Sequence, residues 1–525
     1  MRPARHQGMM FSLAAFALAA LASTSASAQF ACPKKGGNLV FAQEAKVNSL
    51  DQHTSSTIST RNVAMNMFES LMTRDENMAP IPELAESVTE APDGMMYTFK
   101  LRQGIKFHNG KEMTTEDVVA SFDRYSKVGI DRSILNVVEK WEAPDKYTFV
   151  IKMKQAQPTF LENLSSFSVP IVIIPKENAD APAMQLKPVG TGPWEFVEFV
   201  ADSHVKLKRF DGYTPDTRYK ELNGFGGYKV ACLDTVSFRI VTEAGARVAG
   251  IETGEFQGAE DVPAKAQARL KTNPNVTLKP LENFWVQVAV PNLSAPPTDN
   301  VKVRQAIQAA LDMDEIMDAA TDGAYRLNVG LQYPPQAFYT DIAKHTYNIK
   351  DKEKAKKLLQ EAGYKGEKII LLTNKDYSNM YTAALVMSEQ MKAAGMNAEL
   401  KVLDWPATVQ LQQNSADGWN FFFTGYGTNT SLGGLAAWRF HAHPNNAYKP
   451  KDNKPDETFM KHFNAIANGK TLDERKKAYA ETEKYALEQV LAIPFGTLTK
   501  VQVVRSNVEG FKPFRIPRMS NVYLK

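Results

Sequence analysis

The sequence predicts an α/β protein of two or three domains, and three observations carry that prediction. The chain has 525 residues, more than one hydrophobic core usually serves. Strand-like runs dominate as far as a Pro-rich polar break, NLSAPPTDN at 292–300. Beyond the break, helical and strand patterns alternate as in a parallel α/β unit, and the chain returns to strands in LAIPFGTLTKVQVVRSNVEGF at 491–511.

The first segment is a targeting signal. Arg2 and Arg5 make a basic start, and the apolar run at 9–22 is too short to span a bilayer comfortably. STSASA follows, and the spacing of Ala26-Ser27-Ala28 predicts cleavage after Ala28. The mature chain is expected to begin at Gln29, exported and soluble. An uncleaved membrane anchor is the rival reading.

Strands are expected at 36–42, 95–100, 147–153, 236–241 and 286–290, a hairpin at 194–200 and 204–209, and helices at 61–72 and 244–252. LRQGIKFHNGKEMTTEDVVASFDRY (101–125) packs a histidine, acids and bases together. It reads as the end of an alternating strand (98–107), an Asn109-Gly110 turn and a helix capped by Thr114 with Asp117. His108 sits at the turn with no positioned partner visible, so a structural role is expected. After the break, helices are expected at 301–320, 352–362, 381–394 and 472–490, and strands at 369–373 and 398–403.

Composition excludes several functions. The formal charge is +4, and removing residues 1–28 takes away Arg2 and Arg5 and no acid, leaving +2. That is no basic surface for nucleic acid. No G-x-S-x-G, H-E-x-x-H or Walker A motif occurs, so no catalytic residue is nominated. His441-x-His443 is a metal-like spacing without an acid or cysteine nearby, and no metal or cofactor is expected. Cys32 and Cys232, each just before a predicted strand, are a disulfide candidate in an exported protein. A lipoprotein role for Cys32 is disfavoured by Gln29-Phe30-Ala31 before it.

Aromatic residues are the better functional clue. Trp405, Trp419, Phe421 to Phe423, Tyr426 and Trp438 fall close together, interleaved with Gly425, Gly427, Gly433 and Gly434. WNFFF (419–423) reads as a buried strand. TGYGTNTSLGG (424–434) begins where that strand ends, a position where open α/β sheets bind ligands.

Several stretches together resemble one family. IPELAESVTEAPDGMMYTFKLRQGIKFHNGKEMTTEDVVASFDRY (81–125) is similar to the hallmark of the peptide/nickel class, family 5, of extracellular solute-binding proteins of ABC importers. GTGPWEF (190–196), DNVKVRQAIQAALD (299–312), KAKKLLQEAGY (354–364) and AIPFG (492–496) support it in family order. The resemblance implies the two-lobed periplasmic-binding-protein fold, class II and of the large peptide-binding type, with a hinge and an interlobe ligand cleft. Its expected parts are a signal peptide at 1–28, lobe I at 29–288, lobe II at 289–490 and a return to lobe I at 491–525. It implies a monomeric carrier without cofactor, not an enzyme, that takes a peptide or other small polar solute to a membrane permease. A nickel or metal chelate, or a sugar–amino-acid conjugate, is the alternative ligand. An exported hydrolase is the alternative of another class.

The resemblance also nominates a site. Dipeptide-binding relatives carry a G-W-x-x-D-like turn whose Asp meets the peptide ammonium. The matching turn here is Gly425, Tyr426, Gly427, Thr428 and Asn429, with a neutral Asn429 in the Asp place. An R-x-Y-like turn for the carboxylate corresponds to Lys375, Asp376 and Tyr377, with Lys375 as the positive charge. Thr54, Ser55, Ser56 and Thr57 match a hydroxyl-rich ligand loop, and Trp405 and Trp438 are expected to frame the cleft.

Overall fold

The computed structural model describes Met1, residues 29–427, 438, 439, 441 and 456–525. Apart from Met1, the expected signal peptide lies outside the described residues.

One sheet of 11 strands runs through both halves of the chain. At one end Asn38–Gln43 pairs in parallel with Thr235–Ile240, which continues to His204–Arg209 and Trp194–Val200. At the other end Lys368–Asn374 pairs in parallel with Asn397–Leu403 and with Phe421–Tyr426. The helix Ser378–Ala393 connects the first two of these, the expected crossover. Two long antiparallel strands join the ends, Val276–Pro291 and Ile493–Arg505. Their register breaks between Leu281 and Trp285, where Asn283 takes a φ of 49° and Thr497 donates to its side chain at 2.9 Å. The kink turns Phe284 and Trp285 towards the cavity described below.

Core residues follow the same division. Phe423, Ile369, Leu371, Ala306, Met387 and Phe495 belong to one cluster, built almost entirely from the second half. Leu39, Phe41, Trp194 and Phe238 share another with Val504, Phe511, Met519 and Val522 of the C-terminal tail. A four-stranded sheet of Ala85–Glu90, Met96–Leu101, Thr148–Met153 and Val138–Asp145 carries a third cluster with Phe107, Val118 and Phe122.

The stretch 101–125 is scaffold. Its strand ends at Leu101, not 107, and Phe107 sits instead in a tight turn, where its N donates to Lys111 O at 2.9 Å. Thr115–Val128 is a helix with the expected Thr114–Asp117 capping box. His108 Nδ1 accepts from Gly190 N at 3.2 Å and Nε2 meets Gly192 O at 3.0 Å. Burial holds its pKa below the ordinary value, so it serves as a neutral clasp.

Two expected helices differ. The run 301–320 is two helices, Val301–Ala310 and Met313–Thr321, because Leu311 is extended and Asp312 caps the second by accepting from Asp314 N and Glu315 N. The run 61–72 is the helix Ile58–Ala64 followed by a turn, since Gly192 N takes Met67 O at 2.8 Å. Cys32 and Cys232 form the disulfide, with Cα atoms 5.6 Å apart, and tie the starts of two paired parallel strands.

Candidate binding cavity

A cavity of about 890 Å³ opens where the kinked strands meet the loops of both halves of the chain. The first half contributes the hydroxyl-rich run. Thr54, Ser56 and Thr57 line the cavity, whereas Ser55 lies behind them. Ser55 Oγ and Thr57 Oγ1 are 3.0 Å apart, Thr57 Oγ1 bonds Thr60 Oγ1 at 3.0 Å, and Thr60 Oγ1 donates to Ser49 O at 2.7 Å. That chain of hydroxyls sets the loop shape before any ligand arrives.

The second half contributes an aromatic wall. Trp285 meets Tyr377 edge-on at 5.7 Å, Tyr377 meets Trp405 at 5.1 Å and 90°, and Trp405 stacks near Phe422 at 6.0 Å. Trp405 opens a helix, Trp405–Asn414, that Asp404 caps by accepting from Ala407 N at 2.9 Å, with Pro406 in its first turn. Gly425 is where the wall needs glycine: a Cβ there would meet the Trp285 ring at 2.4 Å. Behind the wall Lys500 Nζ lies 4.4 Å from the Trp285 ring centre and pairs with Glu44, and burial holds its pKa well below the ordinary lysine value.

Of the nominated residues, the structure brings Thr54, Ser56, Thr57, Tyr377, Trp405, Gly425, Tyr426 and Gly427 to this one cavity. Thr428 and Asn429 lie outside the described residues. Besides Ser55 behind the lining, two nominations sit elsewhere. Trp438 is fully buried, packed against His441 and Phe459, and is not among the described residues that line the cavity. Lys375 is exposed and rests 5.3 Å from the Tyr381 ring, because its turn aims Tyr377 inward and so aims the lysine out.

Positive charge comes instead from residues that the sequence reading did not single out. Lys46, Arg61, Arg132, Arg439 and Arg515 line the cavity. Arg61, four residues after Thr57 and at the start of the helix expected at 61–72, was the one legible signal; the others lie in stretches without a motif. Lys46 is held by Asp202 at 3.0 Å and Asp404 at 3.5 Å, a link between the two halves of the chain. Arg439 pairs with Asp131 at 2.8 Å, and Arg515 donates to the Phe284 carbonyl and to Tyr333 OH at 3.2 Å. Among the described residues no group of three or more His, Cys, Asp or Glu could hold a metal ion, and no helix is long and apolar enough to cross a membrane.

Known proteins share this architecture. A probable peptide ABC transporter periplasmic-binding protein of Sinorhizobium fredii is 28% identical over 484 residues, 87% of this chain and 88% of that protein. The glutathione-binding protein GsiB of Escherichia coli K12 is 28% identical over 414 residues, 78% of this chain and 77% of its own. Among solved structures, the periplasmic binding protein AgaA with agropinic acid, from A. tumefaciens R10, matches at a TM-score of 0.80 with 24% identity, over 93% of this chain and 99% of that one. The oligopeptide-binding protein AppA of Bacillus subtilis with a nonapeptide matches at 0.81 with 23% identity, over 94% and 100%. These likenesses identify the fold as the two-lobed binding-protein architecture. Residues 79–448 match the family described as bacterial extracellular solute-binding proteins, family 5 Middle, and the chain belongs to that family.

Proposed function

We propose that this chain is the periplasmic receptor of an ABC importer that encloses a small polar, peptide-like solute and hands it to a membrane permease. The observation that carries the reading is the cavity of about 890 Å³ lined from both halves of the chain, a size and position suited to a small organic solute. In this reading lobe I comprises 29–288 and 491–525 and lobe II comprises 289–490, so Val276–Pro291 and Ile493–Arg505 are the crossing strands and flex at the hinge. The Lys46 link to Asp404 is then one of the contacts that favour closure. Export follows cleavage after Ala28. The protein acts as a monomer without cofactor and performs no chemistry on its ligand.

Thr54, Ser56, Thr57, Tyr377, Trp405, Gly425, Tyr426 and Gly427 are the proposed contact residues. Rings, hydroxyls and open backbone amides at these positions suit a ligand with amide groups and a modest apolar part. The named ligands of relatives, glutathione and agropinic acid, are small amino-acid derivatives of that kind. The test is mass spectrometry of small molecules released from gently purified mature protein, followed by thermal-shift titration with each. A true ligand raises stability by about 2.7 kcal/mol at a hundredfold excess over Kd. A ligand that is hydrolysed, or a protein that carries and binds none, would overturn the reading.

A further inference from the structure

The geometry points to an anion-selective cavity that takes a small peptide-like solute bearing at least two carboxylates. This rests on the solute-binding reading above and names its ligand class. Among the described residues, five cationic side chains and two carboxylates line the cavity. Both carboxylates, Asp202 and Asp404, are already engaged by Lys46. Arg61 gives its described bonds only to carbonyls, those of Ser56 and Ser168, and its buried Nε has no hydrogen-bond partner. Arg132 has one long bond, 3.5 Å to Gly129 O, and no carboxylate partner among the described residues. Arg439 lies on the same lining beside its Asp131 partner, and Arg515, which donates to the Phe284 carbonyl and to Tyr333 OH, completes the positive rim.

Charge so arranged costs energy in the empty protein. Burial pushes the Arg61 guanidinium down to about 10, and its neighbours Arg439 and Arg515 add to the push. A carboxylate placed between them would relieve that repulsion and receive charge-assisted, fork-shaped hydrogen bonds. A free ammonium finds the opposite. Among the described lining residues no carboxylate is left for it, since Asp202 and Asp404 are both engaged by Lys46. A second ligand carboxylate has a second arginine to meet, since Arg132 and Arg61 are separate unpaired cations on the same cavity.

A charge series at constant shape tests this on the mature protein by isothermal titration. The probes are N-acetyl-Gly-Glu with two carboxylates, N-acetyl-Gly-Gln with one, and N-acetyl-Gly-Gln amide with none, with glutathione and Ala-Ala alongside. Affinity is expected to rise about tenfold or more with each carboxylate, as charge-assisted bonds of this kind allow. It should weaken as sodium chloride is raised. Arg61→Gln should collapse the ratio between two-carboxylate and one-carboxylate probes. Arg132→Gln, which breaks only one long bond, should reduce the same ratio even if Arg61→Gln folds poorly. Equal or tighter binding of the neutral probe or of Ala-Ala would overturn anion selectivity and leave the receptor reading standing. No binding by any probe, with no solute carried through purification, would overturn both.

Discussion

Lys229 and Arg61 belong to the same half of the chain, yet their surroundings differ in kind. Lys229 is buried 2.6 Å from Glu69 and 2.8 Å from Glu83. Glu69 also accepts from Tyr213 OH at 3.0 Å and Thr191 Oγ1 at 2.9 Å, and Glu83 from Ser70 N at 2.9 Å. Burial alone would lower the Lys229 pKa, but the two carboxylates outweigh it and hold the lysine charged. Arg61 stands half-buried on a cavity wall with carbonyl partners and no carboxylate. A charge matched inside the protein builds scaffold. A charge left with neutral partners beside an open cavity is available to a ligand.

The sharpest way to break that contrast is to remove each cation. Lys229→Met strands two carboxylates in a closed site, and breaking such a buried pair costs about 3–5 kcal/mol. Arg61→Gln loses carbonyl bonds but relieves repulsion from Arg439 and Arg515, so the ligand-free protein should lose no more than about 2 kcal/mol. Urea denaturation of both variants gives the comparison directly. Equal losses would show that Arg61 is scaffold as well.

Glu483 sharpens the comparison from the acid side. It is buried with neutral donors only, Tyr479 OH at 2.6 Å and Leu331 N at 2.6 Å, and burial raises its pKa to about 8. The folded state therefore holds a proton that the unfolded state releases near the ordinary carboxyl value. Its stabilising contribution is complete below about pH 4.5 and is lost as pH rises towards about 8, with a slope of at most about 1.4 kcal/mol per pH unit. Glu483→Gln should remove that slope between pH 5 and 8 in chemical denaturation. A variant that keeps the wild-type slope would place the titration elsewhere.

The sequence made the scaffold legible because scaffold is written in local patterns. The Thr114–Asp117 capping box and the strand–helix–strand order of 369–403 are read from contiguous residues, and the disulfide needed only that the chain holds two cysteines. The aromatic wall was half legible: Trp405 and Tyr426 lie at element ends, while Trp285 lies within a strand that alternation alone would bury. Among the arginines only Arg61 carried a signal, its place at the start of the helix expected at 61–72. Arg61 and Arg515 are brought together only by folding, and nothing in a lone arginine tells whether a carboxylate will meet it.

Lys375 gives the smallest expected effect and the cleanest check on that lesson. In the sequence it was the natural cation, two residues before a tyrosine and just ahead of a helix. In the fold, Tyr377 fills the wall and Asp376 turns inward, where its carboxylate accepts from Lys46 N at 3.3 Å. The three-residue turn then has only one direction left for Lys375, towards solvent over Tyr381. An exposed cation–π contact is worth about 0.5–1 kcal/mol at most, and surface substitutions usually stay within about 0.5 kcal/mol. Lys375→Ala should therefore shift stability by no more than about 1 kcal/mol and leave the affinity for a two-carboxylate probe within about twofold, since long-range attraction from an exposed charge is screened by salt. Titration of that probe at 0.15 M salt, where the Debye length is about 8 Å, makes the measurement. A tenfold loss would return the anchoring charge to Lys375 and take it from the arginines.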